Sequence, residues 1–110
     1  EDLAGAILRE EDLGEYFAAL LRDGIFNSPD ALNDKRLDGL RTDYLQPNRV
    51  GALLDAAARV NGEPLGVICI EQRGCGRIWS KTDELDLRRA TAQISLSLTR
   101  VKELARLNVA

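Results

Sequence analysis

The stretch 50-VGALLDAAARVNGEPLGVICIEQRGCGRIW-79 decides the fold. An apolar run over 50–60 stops at Asn61-Gly62 and resumes over 65–71. Asn-Gly tolerates the positive φ angles of a two-residue hairpin loop, so the two runs are predicted to be antiparallel neighbours. The second run is apolar at both parities, with Leu65, Val67 and Cys69 alternating with Gly66, Ile68 and Ile70. That pattern predicts a central strand covered on both faces, with Val67 and Ile68 both nearly closed to solvent. Gly74-Cys75-Gly76 then reads as a loop, and Ser80-Lys81-Thr82-Asp83 as a capping box that opens a helix.

Working outward, that last helix continues to Asn108 without Gly or Pro, a length of about 40 Å at 1.5 Å per residue. Leu87, Ile94 and Val101 recur every seven residues, with Leu98 beside them. The first half of the helix is predicted to pack on the sheet and its end to project. The projecting stripe predicts a parallel two-fold interface through Leu87, Ile94, Leu98 and Val101. Upstream, Leu13, Phe17, Leu20 and Leu21 give 11–22 an amphipathic helical face that stops at Asp23-Gly24. Ile25-Phe26 is a short strand candidate running into the turn Asn27-Ser28-Pro29-Asp30. Leu37, Leu40, Tyr44 and Leu45 predict a looser helix over 33–46, weakened by Gly39 and ended by Pro47.

Composition narrows the chemistry. The chain has 110 residues, 15 Lys+Arg against 18 Asp+Glu, and a formal net charge of −3, so a nucleic-acid partner or an anionic membrane partner is not expected. It has no His, which removes the commonest general base, the serine triad and the usual haem ligand. Two cysteines cannot close a four-ligand metal site. They are also too few for a small disulfide-built secreted domain, which points to the cytoplasm. No apolar run is long enough to cross a bilayer.

The order of elements and several motifs together resemble a GAF domain of the kind found in bacterial sensor histidine kinases and diguanylate cyclases. Tyr16-Phe17-Ala18-Ala19-Leu20 is similar to the family's "YF-A-L" helix, and Asp30-Ala31 to its "DA" pair. Tyr44-Leu45 with Leu53-Leu54-Asp55-Ala56 resembles the "YL … SLLDAPI" passage. Gly66-Val67-Ile68-Cys69-Ile70-Glu71, then Gly74, Arg77 and Trp79, resembles "GVLC-E … G--R-W". Gly14 and Ala57 depart from the family, standing where prolines are common. The resemblance implies an α+β fold, a GAF/PAS-like antiparallel sheet flanked by helices with a long C-terminal helix. It makes 1–110 a single GAF domain without the long helix and two strands with which the family normally begins.

It also implies a function: a non-catalytic sensory domain, dimeric through its terminal helices and coupled to a C-terminal kinase or cyclic-di-GMP synthase. A small ligand is then expected between the sheet and 25–47, lined by Ser28, Asp30, Tyr44, Leu53 and Asp55. Asp55, a carboxylate within an apolar run, makes either a buried structural hydrogen bond or a ligand contact. No catalytic residue, metal or cofactor is expected. A bilin is disfavoured by the lack of His and by cysteines outside the matching helix, and the cyclic-nucleotide set of the family cannot be assembled. Asp30, Asp34, Asp38 and Asp43 follow no calcium-loop spacing and read as a solvated face.

Trp79 reads as a hydrophobic staple on the last helix. The alternative function is a cysteine-dependent free methionine sulfoxide reductase of the same fold. Arg73 and Arg77 flank Cys75 and could lower its pKa, whereas Cys69 sits mid-strand, where an inert thiol is expected.

Overall fold

The computed structural model describes residues 14–109, with side chains over 14–99. The expected N-terminal helix is present as α1 (Gly14–Asp23), which buries Tyr16, Ala19 and Leu20; residues 11–13 lie outside the described residues. Gly24, at φ 75°, ends it by donating its N–H to Leu20 O at 2.7 Å. The chain then enters β1 (Ile25–Ser28), β2 (Val50–Val60) and β3 (Glu63–Arg73), an antiparallel sheet in the order β1-β2-β3. Asn61 and Gly62 both have positive φ, as the hairpin expectation requires.

Two expectations about this sheet are corrected. The central strand is β2, buried along nearly its whole length, and β3 is an edge among the described residues. Val67 is 39% exposed and Ile68 only partly buried, so the pair expected to be closed is not. The apolarity of β3 at both parities does not reflect two covered faces: Ile68 packs beside the cluster on one face, while Leu65, Val67 and Ile70 stay open. The second correction concerns 33–46. That segment is a chain of short turns: 3-10 turns at Ala31–Asn33 and Lys35–Leu37, one α-helical turn α2 (Asp38–Leu40) and a π turn at Arg41–Leu45. Asp34 interrupts it by accepting the Arg36 N–H on its side chain, a local bond that competes with the helix ladder. The four apolar residues expected inward, Leu37, Leu40, Tyr44 and Leu45, are all buried regardless.

The two faces of β2 differ in size and therefore in what they carry. Ala52, Leu54 and Ala56 face α3 (Lys81–Val109) and share a cluster with Trp79 and Leu87; the small alanines let the helix lie close. Val50 and Leu53 face the other way, into the core made by α1, Phe26 and the 31–45 turns. The capping box forms with Asp83 as its acidic member. Asp83 N donates to Ser80 Oγ at 3.0 Å, and Ser80 N donates to Asp83 Oδ2 at 2.8 Å. Trp79, buried beside it, donates Nε1–H to Ser28 O, and the Arg77 guanidinium lies 4.6 Å over its ring. No helix among the described residues is long and apolar enough to cross a membrane.

Candidate functional site

The site begins with the pleat of the hairpin. A two-residue loop pairs Val60 with Glu63, and that register carried straight along would set Asp55 opposite Ile68. A bulge between Ala58 and Arg59 shifts the register by one, so Asp55 pairs with Cys69 and Leu53 with Glu71. On the other side Phe26 pairs with Asp55 and Ser28 with Leu53. One sheet face thus carries Phe26 and Ser28, Leu53 and Asp55, and Cys69 and Glu71 in three adjacent strands.

Two tyrosines close on this face from above. Tyr16 of α1 donates its hydroxyl to Asp55 Oδ2 at 2.5 Å, and Tyr44 of the π turn donates to Glu71 Oε2 at 2.5 Å. Asp55 is 3% exposed, and its other oxygen, Oδ1, is buried with no hydrogen-bond partner. Burial lifts the Asp55 carboxyl to about 6, and the Glu71 charge adds to the rise; the Tyr16 hydroxyl and the Cys69 thiol pull the other way. The Tyr16 hydroxyl is pushed far up by burial first and by the Asp55 charge second. Tyr44 is pushed up likewise, by burial and then by its bond to Glu71. Part of Cys69 is open to solvent, yet the surroundings of its thiol and the Asp55 and Glu71 carboxylates drive its pKa well above the ordinary thiol value.

Of the residues expected to line a ligand, the structure brings Tyr44, Leu53 and Asp55 onto one face. Ser28 lies on the same pleat but is fully buried, its Oγ beside the Asp34 carboxyl without a well-formed bond. Asp30 is elsewhere: it lines a shallow cleft of about 260 Å³ with Gln46, Arg49, Cys75 and Gly76, and accepts from Asn33 Nδ2 at 2.9 Å. Tyr16, Cys69 and Glu71 were not expected at the site. The signal for them was the alternation of β3, which puts Cys69 and Glu71 on one side. Matching them to Asp55 required the bulge, which no residue announces. Along the expected dimer stripe, Leu87 is 2% exposed and committed to the sheet cluster, Ile94 is 42% exposed, and Leu98 is half-buried. The Val101 side chain lies outside the described residues. Among the described residues no group of His, Cys, Asp or Glu could hold a metal ion.

A three-stranded antiparallel sheet with a long exit helix on one face and a tyrosine–carboxylate floor on the other defines a small α+β domain of the kind that binds compact molecules against its sheet. The GAF domain family model matches residues 3–98, and the chain belongs to that family. Similar solved structures include the GAF3 domain of a Synechocystis sp. protein in its photoproduct state, with TM-score 0.73, 20% identity, and coverage of 97% of this chain and 71% of that one. A methyl-accepting chemotaxis protein, residues 122 to 287, gives TM-score 0.71 and 20% identity over 94% of this chain and 65% of its own. A type II free methionine-R-sulfoxide reductase from Thermoplasma acidophilum gives TM-score 0.53 and 24% identity over 71% of this chain and 50% of that one. The chain therefore spans between half and about two-thirds of the length of these structures. No curated protein matches it.

Proposed function

We propose that this GAF domain is a non-catalytic sensor that binds a small molecule on the face formed by Tyr16, Tyr44, Asp55, Cys69 and Glu71 and passes its state along α3 to a C-terminal output domain. A histidine kinase or a diguanylate cyclase is the output this reading expects, in a cytoplasmic homodimer joined through the terminal helices. One observation carries it: a carboxylate oxygen of Asp55 is buried and unpartnered beneath an edge strand that is otherwise open. Folding a charged group inward with half its acceptors empty is costly. It is retained where another molecule completes it. The photoproduct state and the chemotaxis protein among the similar folds support a sensory use.

The reductase alternative needs a thiolate. Burial and two neighbouring carboxylates keep Cys69 protonated, and Cys75 lies in the separate cleft with Arg49. Methionine sulfoxide turnover by the domain, lost in Cys75→Ser or Cys69→Ser, would restore that reading. For the sensor, the test is amide chemical-shift mapping of the ¹⁵N-labelled, ligand-free domain against the low-molecular-weight extract of its own host. Shifts concentrated at residues 16, 44, 55, 69 and 71 are expected. An extract that moves no resonance, or moves only the Asp30 cleft, removes the proposed site.

A further inference from the structure

Resting on the sensory reading above, we infer that the ligand is a small organic cation, an amine or amidine, whose N–H groups reach Asp55 while its apolar body lies along β3. The inference comes from counting donors and acceptors on the face. The Tyr16 hydroxyl proton is committed to Asp55 Oδ2 and the Tyr44 proton to Glu71 Oε2. What remains toward a ligand is acceptors: Asp55 Oδ1 and the free lone pairs of Glu71 and the two phenols. The only further donor beside Asp55 is the Cys69 thiol, a weak one.

Charge points the same way. Asp55 and Glu71 are close enough for each to act on the Cys69 thiol, and Arg73 acts on Tyr44 from the far end of β3. A carboxylate or phosphate ligand would meet lone pairs and negative charge near Asp55. A purely apolar ligand would leave Oδ1 as it is. A cation supplies both the missing donor and the missing charge, and in a site of low dielectric such charge-assisted bonds are the strong ones. Its apolar part has a place: Val67 and Leu65 follow Cys69 on the same side of the pleat, at steps of about 7 Å, and both are exposed. That distance suits one ring or a short alkyl chain.

The probes are benzylamine and benzamidine, with benzyl alcohol and benzoate as neutral and anionic controls, titrated into the ¹⁵N-labelled domain at pH 7.5. Both cations are expected to saturate in the millimolar range or below, with shifts at residues 16, 55 and 69. They should bind at least tenfold tighter than benzyl alcohol, and benzoate should not bind there. Below the Asp55 midpoint near 6 their affinity should fall about tenfold per pH unit as the carboxylate is protonated. Asp55→Asn should lose at least tenfold. Should that variant not fold, Tyr16→Phe serves instead: it frees Oδ2 as a second acceptor and is expected to keep or raise cation affinity, whereas a site merely damaged would lose it.

Equal binding of benzyl alcohol, preference for benzoate, undiminished cation binding by Asp55→Asn, or no saturation by either cation overturns the inference. If the cations fail while the host extract still shifts the Asp55 face, the ligand class is wrong and the sensory reading stands. If the extract also shifts nothing, both fall.

Discussion

At the residue scale, Asp55 is where folding and function pull in opposite directions. Its neighbours on β2, Leu54 and Ala56, bury apolar surface as a core strand should, while Asp55 buries a carboxyl with one oxygen satisfied by Tyr16 and the other by nothing. The folded carboxyl takes up its proton near pH 6, against an ordinary value of 3.8, so between those two values the folded state binds more protons than the unfolded chain. Stability from this group is therefore greatest at the acid end and is lost as pH rises through 6, by an amount of order 2–3 kcal/mol. Asp83 runs the other way, held low chiefly by the Ser80 backbone N–H, and its contribution is lost as pH falls through its lowered pKa. The measurement is urea unfolding of wild type and Asp55→Asn from pH 4.5 to 7.5. The wild type should lose stability relative to the variant as pH rises; parallel profiles would mean that Asp55 is paired in solution. The sequence already showed that this aspartate must be explained, and left open whether by a structural bond or a ligand. The structure answers with one oxygen for each.

At the element scale, the hairpin was legible because Asn61-Gly62 states a local conformational need that only one turn class meets, and both residues adopt it. The 31–45 segment was legible in burial but not in shape. Its apolar spacing correctly chose Leu37, Leu40, Tyr44 and Leu45, yet Asp34 and Gly39 break the ladder into single turns. The edge position of β3 was not legible, since apolar residues at both parities look the same whether a second layer covers them or not. One close approach fixes how β2 meets the 74–76 loop: a Cβ on Gly51 would stand 1.9 Å from the Cys75 carbonyl oxygen, whereas one on Gly66 meets nothing within 4 Å. Gly51→Ala should therefore destabilise the domain by about 1–3 kcal/mol, because backbone has to move. Gly66→Ala should be neutral or slightly stabilising. Thermal melts of the two variants side by side read this; equal melting temperatures would mean that the loop is not docked where the structure has it.

At the scale of the whole molecule, α3 joins the sheet to whatever it controls. Leu87 belongs to the fold, so Leu87→Ala should cost about 2–5 kcal/mol of stability and leave self-association untouched. Ile94 and Leu98 lie farther along and are open or partly open; Ile94→Glu and Leu98→Glu should weaken a helix-mediated dimer at least tenfold in sedimentation with little change in melting temperature. A wild-type domain that stays monomeric at high micromolar concentration would remove the dimer from the proposal. Heptad spacing alone could not separate Leu87 from the rest of the stripe, because the same repeat serves a sheet contact in one half and a helix partner in the other. The sensor proposal itself depends on something occupying the Asp55 face. Native mass spectrometry of the domain purified from its own host, run beside Asp55→Asn, reads that occupancy. A small molecule retained by the wild type and absent from a folded Asp55→Asn is the expected result. A wild type that carries nothing, or a variant that retains the same mass equally well, would contradict it.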